Sequence, residues 1–242
     1  MSTPDPTPTV VLVHGAFVDA SSWTGVIAEL KAAGLDVVAP PNLLRGVGTD
    51  AAYLTGFVEA LGRPVVLVGH SYAGAVICQT GSDASNVAGQ VYVAAYAPEA
   101  GETLGAINAR YPDTPLSAAL RTFTYTGDRG EQATDTYVDA GLFHDAVCAE
   151  APAEVADTLA RTQRPASLAA FATAVTGTPA WQRLPSWAVV ATADHAIHPH
   201  AERDMAQRAG SQTTEIDASH AVPATHPADV AAVITRAVKA VR

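Results

Sequence analysis

The chain is poor in cysteine, in basic residues and in long apolar runs, and each shortage narrows what it can be. Two cysteines in 242 residues, Cys78 and Cys148, are too few for a disulfide framework. Cys78 falls two helical turns after Ser71 and reads as a packed apolar side chain. Only 14 lysines and arginines stand against 24 acids, giving a net charge of −10. Nucleic acids and anionic membranes are bound through clustered lysine and arginine, so neither is expected as a partner. No apolar run is long enough to span a bilayer. The opening Met1–Pro8 is polar and proline-rich, with neither a charged leader nor an apolar core, so no secretory signal and a cytoplasmic location are expected. The length suits one α/β domain with a modest insertion.

Against these absences stands one informative stretch. The β-branched run Val65–Val68 ends abruptly in Gly69-His70-Ser71-Tyr72-Ala73-Gly74, and a helix-compatible segment follows. Strand, sharp turn and helix together make a nucleophile elbow, in which the serine is strained, exposed and backed by a helix amino end. Such a turn admits only small residues two positions either side of the serine, here Gly69 and Ala73. The consensus glycine at 73 is replaced by the mildest substitute, and Gly74 follows at once.

A serine needs a base, and the base an orienting acid. The apolar run 187–193 reads as a strand with Asp194 at its carboxyl end. Residues 213–217 read as another strand, with His220 in the loop beyond it and an amphipathic helix closing the chain over Pro227–Val241. Loops past the carboxyl ends of parallel strands are where such sheets place chemistry. Ser71, His220 and Asp194 are therefore the candidate nucleophile, base and acid. Glu99 and Asp217 are rival acids, less suited because Glu99 opens the next segment and Asp217 is too close to His220 along the chain. The run Val10–Val13 leads into His14-Gly15-Ala16-Phe17. The amides of Ala16 and Tyr72, with Phe17 as the alternative in the first loop, are the candidate oxyanion-hole donors. His14 is read as shaping that loop, and His70 as packing under the elbow.

Apolar runs at 10–13, 36–39, 65–68, 91–95, 187–193 and 213–217 alternate with segments of helical spacing, such as Trp23, Ile27 and Leu30, or Tyr53, Phe57 and Leu61. This alternation predicts a largely parallel, doubly wound sheet with helices on both faces. The rhythm breaks between Pro98 and Leu184, where helix-like pieces at 152–162 and 167–175 predict a helical cap (98–184) inserted before the acid-bearing strand, over a core of 1–97 and 185–242. Its aromatic and apolar residues Phe123, Tyr125, Tyr137, Leu142, Phe143, Phe171 and Trp181, with Phe17, are the candidate substrate-binding residues. His195, His198 and His200 fan around the start of a helix at Pro199, so no metal is expected.

The motifs His14–Phe17, Ser21-Ser-Trp23, Gly69–Gly74, Tyr96-Ala-Pro98 and Ser219-His220 resemble those of the α/β-hydrolase superfamily. The resemblance is strongest to its compact branch of small bacterial esterases, plant methyl-ester esterases and plant hydroxynitrile lyases. It runs from Val10 to the last helix and is loose in the middle third. The order Ser71, Asp194, His220 is the superfamily's. The lyases tend to carry threonine after the first-loop histidine and lysine after the catalytic one. Gly15 and Ala221 stand here, on the esterase side. The resemblance thus implies a serine hydrolase that needs no cofactor and acts on a small to medium, uncharged apolar or aromatic carboxylic ester through an acyl-enzyme. The alternatives are lactone or carbon–carbon bond hydrolysis by the same residues, a hydroxynitrile-lyase-type reaction, or a non-catalytic small-molecule receptor. Oligomeric state is not legible.

Overall fold

The computed structural model describes residues 7–127 and 129–242. Six strands form one parallel sheet: β1 (Thr9–Val13), β2 (Val37–Val38), β3 (Val65–His70), β4 (Val87–Val93), β8 (Ser186–Ala191) and β9 (Gln212–Ile216), in the order β2-β1-β3-β4-β8-β9. The six expected strands are all present. The central strands β1, β3 and β8 are buried throughout and β4 nearly so, as a parallel sheet covered by helices requires, while the edge strand β9 is largely exposed. Alternate side chains divide between two cores: Val11, Val13, Val65 and Leu67 enter one, Val10, Leu12, Val66 and Val68 the other.

Helices α1 (Thr24–Ala32) and α11 (Pro227–Ala240) cover the second face. They approach closely at Gly25, where a Cβ would lie 2.8 Å from the Pro227 side chain. Helices α2 (Val47–Ala60) and α3 (Ala73–Asp83) cover the first face, and α9 (Pro199–Arg208) joins that core through Ala201, Met205 and Ala206. The short α10 (Val222–Thr225) precedes α11. Among the described residues no helix is long and apolar enough to cross a membrane.

Between β4 and β8 lie the short helices α4 (Leu104–Asn108), α5 (Pro115–Ala119), α6 (Phe143–Val147), α7 (Ala153–Thr162) and α8 (Leu168–Ala172). This segment is not helical throughout. It also holds a three-stranded antiparallel sheet of β5 (Leu120–Thr126), β6 (Gln132–Val138) and β7 (Ala166–Ser167). All seven residues of β5 are exposed. Its sequence, LRTFTYT, alternates threonine with aromatic residues, which favours a strand without any apolar run to announce one. Arg45 ties this sheet to the parallel core, with bonds of 2.8 and 3.0 Å to the Asp135 carboxylate and 3.1 Å to the Pro165 carbonyl.

Candidate active site

β3 delivers the chain into the elbow, and Ser71 turns it with φ of +56°. A non-glycine residue there is strained by about 1–3 kcal/mol, so its surroundings must hold it. They do so from both sides. The Ser71 amide reaches the carbonyls of Val93 (3.2 Å) and Ala94 (3.1 Å), while its own carbonyl accepts from Gly74 (3.0 Å) and Tyr96 (3.2 Å). Gly69 is needed because a Cβ there would sit 2.7 Å from the Ala73 carbonyl oxygen. Gly74 is needed more strongly, with the Tyr96 carbonyl oxygen 2.1 Å from where its Cβ would be. The close backbone approach thus falls at 74, and position 73 tolerates a methyl group.

The structure brings the three candidates together. His220, just past β9, places Nε2 2.8 Å from Ser71 Oγ and Nδ1 2.6 Å from Asp194 Oδ2. With the Nδ1–H directed at Asp194, Nε2 is left to accept the Ser71 hydroxyl. Asp194 lies in the turn between β8 and α9, where its Oδ1 accepts from the amides of Ala196 (2.6 Å) and Ile197 (2.9 Å). Burial pushes this carboxyl up, but the His220 charge and these bonds outweigh it and hold it below the usual carboxylate range. Asp194 is thus ionised at neutral pH. The rival acids engage elsewhere: Asp217 binds Thr192 at 3.4 Å and Glu99 faces Arg208 at 3.7 Å.

Two further histidines shape the site. Burial, then repulsion from His220, lowers His70 to about 3. His70 stays neutral and donates Nε2–H to the His220 carbonyl at 2.9 Å, locking the loop that carries His220. His14 is also lowered by burial, so its Nε2 is free to accept the Asn42 amide at 3.0 Å. Its Nδ1–H donates to the Gly15 carbonyl at 2.9 Å. Asn42 returns a bond to the His14 carbonyl, a role that its isolated place in the sequence gave no sign of. His144 is used locally, on the Ala151 carbonyl. His198 caps α9 by accepting the His200 amide, as its place before Pro199 suggests. Among the described residues no three His, Cys, Asp or Glu side chains gather as metal ligands.

Ala16 and Phe17 form the turn after β1, with Phe17 at φ +64°, and Tyr72 opens α3. Among the described residues none accepts a hydrogen bond from these three amides. The Tyr72 ring is buried, and its hydroxyl donates to Asp50 on α2 at 2.7 Å. Gly15 backs Ser71 so closely that a Cβ would lie 2.8 Å from that of the serine.

A cavity of about 30 Å³ opens over Ser71 and His220. Of the eight candidate substrate-binding residues, only Phe17 and Phe171 line it, with rings stacked at 6.0 Å. Around Ser71, His220, His70 and Tyr96 the wall is mostly aliphatic and includes Leu116, Val147, Leu159 and Ile197, which no aromatic pattern marks. The other six candidates are held away. Phe123, Tyr125 and Tyr137 cluster on the β5–β6 sheet, remote from the cavity wall. Leu142 is exposed ahead of α6, and Phe143 is wholly buried in the core that this segment shares with the first face of the sheet. Trp181 donates its indole N–H to the Pro98 carbonyl at 3.0 Å, under Arg208.

Comparison with known proteins follows this geometry. The sequence model of the alpha/beta hydrolase family matches residues 10–233. No curated protein sequence matches the chain. Among solved structures, it is similar to polyneuridine aldehyde esterase (TM-score 0.80, 17% identity, 96% of this chain and 99% of that one). It is also similar to a methylesterase from Arabidopsis (TM-score 0.79, 18% identity, 96% and 99%). A third similar structure is a pyrethroid hydrolase from Sphingobium faniae JZ-2 (TM-score 0.74, 19% identity, 96% and 98%).

Proposed function

Since the chain belongs to the alpha/beta hydrolase family, we propose that it is a serine hydrolase cleaving a small, uncharged apolar or aromatic carboxylic ester through an acyl-enzyme. The observation that carries this reading is the line of short hydrogen bonds from Ser71 through His220 to Asp194, 2.8 and 2.6 Å, under an apolar cavity. Ser71 Oγ adds to the ester carbonyl carbon as its proton passes to His220 Nε2, and ionised Asp194 balances the imidazolium. The oxyanion is received by the amides of Tyr72 and Ala16, with Phe17 the alternative. Each such donor is worth about 3 kcal/mol in the transition state. The ester C–O bond then breaks, and the alcohol leaves with the proton from His220. Water repeats the sequence on the acyl-enzyme, releasing the acid and restoring Ser71.

Residues 98–184 act as the cap, since Leu116, Val147, Leu159 and Phe171 close the cavity from that segment. Its volume admits about two water-sized spheres. Short acyl groups fit with little rearrangement, and longer ones require these side chains to move. Names of the similar structures, two esterases and a pyrethroid hydrolase, agree with ester cleavage. A lyase-type reaction is disfavoured by Ala221, which places no cation beside His220, and by Gly15, where no side chain fits against Ser71.

Stopped-flow hydrolysis of p-nitrophenyl esters from acetate to decanoate tests the reading, with Ser71→Ala in parallel. A serine-dependent burst, largest for short chains, is expected. Turnover that persists in folded Ser71→Ala would refute the assignment.

A further inference from the structure

One buried ionisable group has no part in the chemistry above. Glu202, in the first turn of α9, is only 3% exposed, yet among the described residues no cation pairs with it. Its neighbour Arg203 turns outward to Glu215, and Arg208 binds Glu102. Glu202 Oε2 accepts the amide of Ala191 at 3.1 Å. No donor among the described residues reaches Oε1, and the polar group that this carboxyl faces is the carboxylate of Asp194.

Sheet geometry explains why a side chain stands there. The β4–β8 ladder ends at Val93 opposite Val189, and the Val189 carbonyl takes its last bond from the Ala94 amide. At Ala94, φ is +43° and the chain swings away toward Ser71 and Tyr96. Ala191, two residues on along β8, directs its amide to the same side and has no β4 residue opposite it. Glu202 takes that place. It does so at the turn where the Ala191 carbonyl accepts the Asp194 amide at 3.3 Å, the turn that delivers Asp194.

Two buried carboxyls carried by one turn, with no cation paired to either among the described residues, are most readily accommodated when they share a proton. We propose that Glu202 is a positioning residue for the proposed relay, acting through Asp194. One oxygen anchors the Ala191 amide, and the other, as a carboxylic O–H, donates to the Asp194 carboxylate that orients His220. The directions of the two groups agree: burial, then the charge of Asp194, raises Glu202 well above the carboxylate range, while Asp194 is held down. The inference rests on the hydrolase reading, and its test includes a readout that does not.

The groups facing this pair are His220 from the β9 loop, His70 from β3, Tyr92 and Tyr96 from the end of β4, and Arg203 on α9 itself. His70 is held neutral, and burial raises both tyrosines, so none of the three changes charge around neutrality. The experiment compares wild type, Glu202→Gln and Glu202→Leu by ¹⁵N-histidine NMR titration of His220 and by the burst of p-nitrophenyl acetate hydrolysis. Glutamine keeps both the acceptor and a donor without charge, so the His220 midpoint and kcat should match wild type. Leucine removes the donor to Asp194. The His220 midpoint should then rise, and kcat should fall on the order of tenfold to a hundredfold with KM little changed. A downward move of the midpoint by about one unit in Glu202→Gln would mean that an anion had been removed, and would overturn the proposal. So would folded Glu202→Leu with wild-type midpoint and kcat. If Glu202→Leu does not fold, the isosteric glutamine variant still decides. If no ester gives a serine-dependent burst, the hydrolase reading fails while the NMR titration still judges Glu202.

Discussion

Substituting Gly74 by alanine adds a single methyl group, yet the structure expects it to damage the site more than most larger changes. The new Cβ would lie 2.1 Å from the Tyr96 carbonyl oxygen, 2.9 Å from the Tyr96 amide nitrogen and 3.0 Å from the Ala95 Cβ, where ordinary contact begins at 3.4 Å. The nearest atoms are backbone, so no rotamer change relieves the clash. Either α3 or the 94–97 turn must retreat by more than an ångström. Both are fastened to Ser71, whose carbonyl accepts from Gly74 and Tyr96 and whose amide reaches Ala94. Overpacking of this kind costs about 1–3 kcal/mol of stability. Displacing a reacting group by about 1 Å costs on the order of 10²-fold in rate. Ala73→Gly is the control, because it restores the elbow's consensus and removes a methyl group without crowding; its cost should stay within about 1 kcal/mol, the usual penalty for glycine in a helix. Thermal melts and the p-nitrophenyl acetate burst read both quantities. Gly74→Ala with wild-type melting temperature and burst rate would refute the view that this close approach sets the Ser71 geometry.

Other perturbations probe separate parts of the argument. Asp194→Asn should keep the fold but lower kcat by about 10⁴-fold, because the amide favours the wrong His220 tautomer; a loss under tenfold would remove Asp194 from the assigned role. His70 is neutral in the folded chain down to about pH 3, whereas an unfolded histidine takes up a proton near 6.5. The unfolded state therefore binds the extra proton, and stability is lost as pH falls from about 6.5 toward 3, on the order of 5 kcal/mol from this group. Urea titrations should find His70→Gln flatter than wild type across that window, and parallel curves would contradict the assignment. Arg45→Met strips a buried carboxylate, Asp135, of its two bonds, which should cost about 1–3 kcal/mol and speed limited proteolysis within 98–184. Unchanged cleavage would show that the β5–β7 sheet is held in place by something else.

Local chemistry was what the sequence could reveal. A run of β-branched residues is a buried strand wherever it lies, and a small-residue turn around a serine is strained whatever surrounds it. All six parallel strands, the elbow, and the places of Asp194 and His220 just past β8 and β9 were legible for that reason. The middle segment resisted in part because β5 is exposed along its whole length: it shows solvent alternating threonine, phenylalanine and tyrosine, so it has no buried face to print a pattern.

The glycine at 74 was visible, but not that it answers a carbonyl 22 residues further on; Gly74 and Tyr96 meet only when α3 and the β4 turn are both in place. The same holds for the cavity, whose mostly apolar wall is drawn from several separate elements while most of the aromatics expected there pack elsewhere. Glu202 is an ordinary first-turn acid until the end of the β4–β8 ladder leaves the Ala191 amide beside it. The sequence by itself determined the parallel sheet and which serine, histidine and aspartate stand at its carboxyl edge, because periodicity and turn chemistry act over a few residues. Only the tertiary structure decided the shape of the pocket and the partners of Glu202, His70 and Asn42, because burial and hydrogen bonding join residues that the chain keeps far apart.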